Sequence, residues 1–182
     1  MLGRLINSII KKVPIFVVRK LISCIRNSES AYGYQMRSIC YTRLCKSFGE
    51  KVKIAPYVFL QNPEHISIGN NVSIQHFCLI SGYGGVEIGS DVSIAAYTSI
   101  FSTSHPVNNP HQKIRDAQLL SKSVKIGENV WIGAGVTILY GTTITDGVVV
   151  GAQSLVTKDL VQKDSVYIGS PARFLKLRFN EQ

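Results

Sequence analysis

The sequence is short of several things that would each name a class of protein. Its longest purely apolar run, Val13 to Val18, falls far below the ~20 residues that cross a bilayer. No small-residue cleavage site follows a clean apolar stretch, so a secretory signal is not expected. Cysteine is sparse, with four residues at 24, 40, 45 and 78 and no CxxC; that spacing gives neither a zinc ribbon nor a disulfide framework, and free thiols in a reducing cytosol are expected. Acid is scarce as well, with 11 Asp and Glu against 20 Lys and Arg. The deficit sits at one end: residues 1–49 hold nine basic residues and one acid, whereas residues 50–182 hold eleven and ten. A nearly neutral body without a basic face or aromatic platform argues against nucleic-acid binding.

What is present is enough for one domain and an appendage: 182 residues, 45% of them hydrophobic. Residues 1–49 form the appendage, a basic and mainly helical arm. Its first part mixes aliphatics with Arg4, Lys11, Lys12, Arg19, Lys20 and Arg26; Pro14 starts or breaks a helical turn, and a second helix is expected from Ala31 to Lys46. Such an arm fits two settings: a basic amphipathic segment lying on an anionic membrane, or a helix packed against the body or a subunit interface with its charges solvated.

In the body, isoleucine or valine recurs every sixth residue at 126, 132, 138, 144, 150 and 156, and the register returns at Ile68, Ile74 and Ile80 and at Ile88, Ile94 and Ile100, with a fainter trace at Ile54, Leu60 and Ile66. A helix repeats every 3.6 residues and a half-buried strand every 2, so neither produces this period. A sandwich would show alternation and longer strands. A chain wound as a triangular coil does fit, with a short strand on each side, one aliphatic inward per side and stacked coils paired as parallel sheets. Gly69, Asn70, Asn71, Gly89, Asp91, Gly127, Asn129, Gly133 and Gly135 supply the tight corners. The coil is expected over residues 50–170, with residues 171–182 closing its end as a strand or short helix.

The register fails between Ile100 and Ile126, so the chain from about 104 to 125 must loop outward, and long loops on rigid scaffolds carry function disproportionately. The loop opens on Ser-His-Pro, placing His105 at the exit of a coil with Pro106 restricting its backbone.

FSTSHPVNNP, VKIGENVWIGAGVTIL, VVVGAQSLVTKDL and IGSPARFLK resemble the hexapeptide-repeat acyltransferases, in particular the galactoside and maltose acetyltransferases and the polysaccharide O-acetyltransferases. The resemblance covers roughly residues 50–178 and implies an all-β, left-handed parallel β-helix; the left hand comes from it alone. It further implies an acetyl-CoA-dependent O-acetyltransferase acting on a sugar hydroxyl of a bacterial surface polysaccharide or its precursor, cytoplasmic or peripheral at the inner membrane face, assembled as a homotrimer and needing no metal. His105 takes the place of the general base, able to accept a hydroxyl proton near neutral pH. A backbone N–H near Gly133 and Ala134 is the donor for the oxyanion, and Trp131 stands beside the active-site wall. Ala134, Ala152, Thr157 and Lys158 fall on positions that contact acetyl-CoA; Lys158 and Arg173 face its phosphates.

Where galactoside enzymes carry an asparagine and an aspartate for the acceptor, IQHFCLISGYGG offers Gln75, His76 and Tyr83, so the acceptor is not expected to be a simple galactoside. His111 and Asp116 in the loop are candidates to orient His105 or bind substrate. Three other readings stay open: N-acetylation of an amino sugar, a non-catalytic β-helix scaffold, and the gamma-type carbonic anhydrase, whose three zinc histidines are not matched by the gaps of 11, 29 and 6 among His65, His76, His105 and His111.

Overall fold

A computed structural model describes residue 10 and residues 12–179; Arg4, Lys11, the other residues before position 10, and residues 180–182 of the terminal cap lie outside the described residues. From Ser47 onward the chain winds as a parallel β-helix of about six turns. Three parallel sheets form its sides. The first side stacks Ser47–Phe48, Ile66–Ile68, Val86–Ile88, Val124–Ile126 and Thr143–Ile144. The second stacks Lys53–Ile54, Ser73–Ile74, Ser93–Ile94, Trp131–Ile132, Val149–Val150 and Ser165–Ile168, and the third Phe59–Gln61, Leu79–Ser81, Ser99–Phe101, Thr137–Ile138 and Leu155–Val156.

The sixth-residue aliphatics are the inward columns. On the second side Ile54, Ile74, Ile94, Ile132 and Val150 pair in register and are fully buried; burying each contributes roughly 2 kcal/mol. A further inward position four residues on is taken by Val52, Val72, Val92, Val130 and Val148 at one corner and by Val58, Cys78, Thr98, Val136 and Ser154 at another. Cys78 is thus a small core residue, and burial pushes its thiol up to about 11.

Corner chemistry divides in two. Between the first and second sides, Asn71, Asp91 and Asn129 hold the left-handed backbone, as the sequence suggests. Between the second and third sides that conformation falls on Tyr57, Phe77 and Tyr97 at φ of 60°, 60° and 62°, where bulky side chains are seldom found. Their rings stack with centroids 4.8 and 5.0 Å apart, an attraction of about 1 kcal/mol per pair that offsets the backbone cost. Gly135 follows at φ 67°, where a Cβ would also collide with the Gln153 side chain.

The coil starts ahead of the visible period, because Ser47–Phe48 pairs with Ser67–Ile68 although Phe48 is not an aliphatic. At the interruption, Thr103–Ser104 and Leu120–Ser121 form an antiparallel ribbon that carries the loop outward, and Val124 is back in register opposite Val86. The chain closes with a strand, Arg173–Leu177, antiparallel to Ser165–Ile168.

Helix α1 (Ile15–Ile25) starts after Pro14 and buries Val18 and Ile22. Helix α2 (Ala31–Leu44) is capped by the Ser30 hydroxyl, which accepts from the Gly33 N–H at 3.0 Å. It ends two residues short of the expected Lys46, because the Lys46 N–H bonds to the Ile66 carbonyl of the coil. The two helices pack together and α2 lies on the first coil. Arg37, fully buried, ties all three parts: Nε donates to the Ile54 carbonyl at 3.0 Å, and Nη1 to the carbonyls of Ile25 at 3.0 Å and Ser28 at 2.7 Å. Arg37→Met strands those acceptors without a donor and is expected to cost about 3–5 kcal/mol in denaturant unfolding. A midpoint matching the native chain would mean the guanidinium is dispensable.

Candidate active site

The corner between the second and third sides gathers residues far apart in sequence. The carbonyls of His76, Ala96 and Ala134 each accept an N–H from the coil above, from Tyr97, Gly135 and Gln153 respectively. His76, Ala96, Ala134 and Ala152 therefore stand in one column, with His76 and Ala134 about 10 Å apart at two coil spacings. Gln75 and Gly133 occupy the adjoining column. Ala134 and Ala152 are exposed on neighbouring coils, forming a ledge of methyl groups and open backbone. His76, half-buried, has Glu29 of the α1–α2 connection 3.7 Å away.

Two details refine the expectation for the oxyanion donor. The Gly133 N–H is committed to the Val150 carbonyl at 2.8 Å, so it is not free to serve. The Ala134 N–H, like those of His76, Ala96 and Ala152 in its column, carries no such backbone bond among the described residues. Behind it, the buried Thr98 hydroxyl donates to the carbonyls of Ala95 at 2.9 Å and Gly133 at 3.2 Å, fixing that peptide. The sequence held a signal for Thr98: it is a polar residue at an inward position that Val58 and Val136 fill elsewhere.

The opposite corner, between the third and first sides, carries the rest. His105 is exposed at the start of the loop, and its Nδ1 lies 3.2 Å from the Ile114 carbonyl. A carbonyl can only accept, so Nδ1 is the donor in this contact, and in the neutral ring the lone pair is on Nε2. The partner that orients His105 is thus a backbone oxygen rather than His111 or Asp116. His111 is exposed, with its N–H on the Asn109 side chain; Tyr83, Thr157 and Lys158 are exposed on the same corner.

Trp131 lies on the outer face of the second side, 55% exposed, in a cleft of about 280 Å³ with Ser93, Val149 and Arg178. Arg173 is exposed on the last strand, its Nη1 on the carbonyl of Ala172. Within one protomer, then, Gln75, His76, Gly133, Ala134 and Ala152 meet at one corner, while Tyr83, His105, His111, Thr157 and Lys158 sit a full side of the triangle away. Among the described residues no group of three His, Cys, Asp or Glu side chains is placed to hold a metal.

Residues 123–158 match the family described as "Bacterial transferase hexapeptide (six repeats)". The chain is 36% identical to a galactoside O-acetyltransferase of Escherichia coli K12 over 70% of its own length and 62% of that protein's. It is 31% identical to the dTDP-4-amino-4,6-dideoxy-D-glucose acyltransferase of Escherichia coli, over 70% of this chain and 80% of that one. A galactoside acetyltransferase solved with coenzyme A superposes with a TM-score of 0.79 at 29% identity, across 89% of this chain and 79% of the other. With the hexad interior, the extruded histidine loop and these likenesses together, the chain belongs to the hexapeptide-repeat acyltransferase family.

Proposed function

We propose that this protein transfers an acetyl group from acetyl-CoA to a hydroxyl of a sugar destined for a bacterial surface polysaccharide or its precursor, in the cytoplasm and as a homotrimer. The observation that carries this reading is His105, whose Nδ1 lies on the Ile114 carbonyl, an arrangement that in the neutral ring leaves Nε2 as the base. Nε2 takes the proton of the acceptor hydroxyl as its oxygen forms a bond to the thioester carbon. Negative charge gathers on the former carbonyl oxygen, which the Ala134 N–H receives. The intermediate then expels the CoA thiolate, and the imidazolium returns its proton to that sulfur. No nucleophilic side chain is required.

The split of the candidate residues between two corners supports a site shared by neighbouring copies, the loop of one protomer reaching the ledge of the next. The third side is suited to that neighbour. Its strands carry no ionisable residue, and outward they present Leu79, Phe101 and Leu155 with Ser99 and Thr137 between, while the Arg26 guanidinium covers Phe59 at one end. The first side, by contrast, points Glu87 and Lys125 at solvent, 3.7 Å from each other.

A second reading is N-acylation of an amino sugar, favoured by the likeness to the dTDP-amino-sugar enzyme; the same base serves an amine. Free-thiol release from acetyl-CoA across paired sugars and amino sugars tests both. Acceptor-dependent release with hydroxyl-only sugars supports O-transfer, and release confined to amino sugars would displace it. Lys158, at the loop corner, would meet the phosphates of a CoA on the neighbouring copy's ledge, and Arg173 is the other phosphate candidate, so Lys158→Ala and Arg173→Ala should each raise the CoA Kd about fivefold, a solvent-weakened charge-assisted contact of about 1 kcal/mol. Calorimetry that finds the native Kd in both variants would remove these residues from the cofactor site.

A further inference from the structure

The first turn of α1 leaves Ile15, Phe16 and Val17 exposed, to 45%, 72% and 40%, in a helix whose opposite face buries Val18 and Ile22. At 100° per residue, Lys20 points directly away from the buried face and Phe16 within about 40° of that direction, with Val17 on one flank and Arg19 and Ser23 on the other. Lys12 and Lys20 are exposed, and α1 contains no acid; Arg19 alone of these is paired, with Glu64 of the coil at 3.0 Å. Two turns along the Arg19 flank, Arg26 is turned inward instead, its guanidinium 4.0 Å over the Phe59 ring of the coil and its Nε buried, in a cleft of about 400 Å³ shared with Arg19 and Ser23. Large apolar side chains ringed by cations are the chemistry of a helix that lies in a membrane interface.

We propose that this face of α1 docks on the surface of an anionic bilayer, with Ile15, Phe16 and Val17 at the boundary of headgroups and acyl chains and Lys12 and Lys20 toward the lipid phosphates. The helix has 11 residues, about 16 Å at 1.5 Å each, so it lies on the bilayer rather than crossing it. Charge selects this occupant over the two others at hand. A second copy would bring its own basic arm against this one, and the segment before residue 10 carries Arg4 and no acid, so both meet the patch with like charge. A leaflet rich in anionic lipid meets it with the opposite sign. The inference does not depend on acetyl transfer, since its readout is binding.

The test sediments the full chain with vesicles of phosphatidylcholine alone and of phosphatidylcholine with one-third phosphatidylglycerol. The native protein should pellet with the anionic vesicles and be released by high salt. Ile15→Ser with Phe16→Ser, and separately Lys12→Glu with Lys20→Glu, should each lower the partition coefficient on the order of tenfold or more, with the helical circular dichroism and turnover on a soluble acceptor unchanged. Equal pelleting with neutral vesicles, or unchanged partition in both variants, overturns the proposal. So does binding that appears only after residues 1–9 are removed, which would make that segment the occupant. A smaller particle by light scattering for the Phe16 variant, without native vesicle binding, would assign the patch to a second copy and overturn it too.

Discussion

His105→Ala should lower kcat by 10²- to 10⁴-fold while the Kd for CoA stays at its native value. The range follows from what a positioned general base supplies, about 3–5 kcal/mol of barrier at 1.36 kcal/mol per decade. CoA affinity should be spared because, in the proposed reaction, the imidazole meets the acceptor from the loop, whereas the cofactor candidates Ala134 and Ala152 belong to another corner of the coil. The side chain is exposed and holds one hydrogen bond, to the Ile114 carbonyl, so its loss should leave the melting temperature within a degree or two of native. Acceptor-dependent thiol release, read beside CoA calorimetry, decides the matter. Rates equal to the native enzyme would remove His105 as base; loss of both rate and CoA binding would assign the histidine to the cofactor instead.

Thr137→Arg should convert the proposed homotrimer to monomers and abolish measurable turnover together. Thr137 stands mid-way along the third side, flanked in register by Ser99 and Leu155 and pointing outward. If that side faces a neighbouring copy, a guanidinium there enters an interface with no carboxylate to receive it, and an unpaired buried charge costs several kcal/mol. The loss of activity follows from the geometry rather than from unfolding. Each chain holds the histidine loop at one corner and the small-residue ledge at another, so on the proposed shared site an isolated chain would have two half-sites. Thr143→Arg is the control: Thr143 points outward from the first side, next to Lys125, where added charge meets water. Light scattering and thiol release on both variants give the answer. A fully active Thr137→Arg monomer would show that the site is complete within one chain, and a trimer that remains intact would place the interface elsewhere.

Much of this protein is legible in its sequence, and the reason is that periodic burial is a local property. A hydrophobe at every sixth position can satisfy only one winding, and Ile74, Ile94 and Ile132 arrive in the interior by that rule. The missing register after Ile100 likewise obliges the chain to leave the coil, whatever the loop then does. The surplus of cations before residue 50 needed counting alone. His105 stood out by its place at a loop exit, and its role by resemblance to a family.

Other features waited on the stacking of coils. The period sets how often the chain turns and is silent on the hand of the turn. Which residues become neighbours depends on extra residues between strands: His76 and Ala96 are 20 apart, Ala96 and Ala134 are 38 apart, and Ala134 and Ala152 are 18 apart. Only the folded register puts all four in one column. A backbone N–H has no sequence signature, so nothing in IGAG tells that Gly133 is bonded and Ala134 is free. The Ile114 carbonyl that orients His105 is invisible for the same reason. Tyr57, Phe77 and Tyr97 run against local preference for left-handed backbone, and a neighbouring ring one coil away is what compensates each of them. Sequence alone determined the winding and the interior and singled out candidate residues; tertiary structure decided their neighbours and free atoms, because those are set by pairing between coils and not by the order of residues along one.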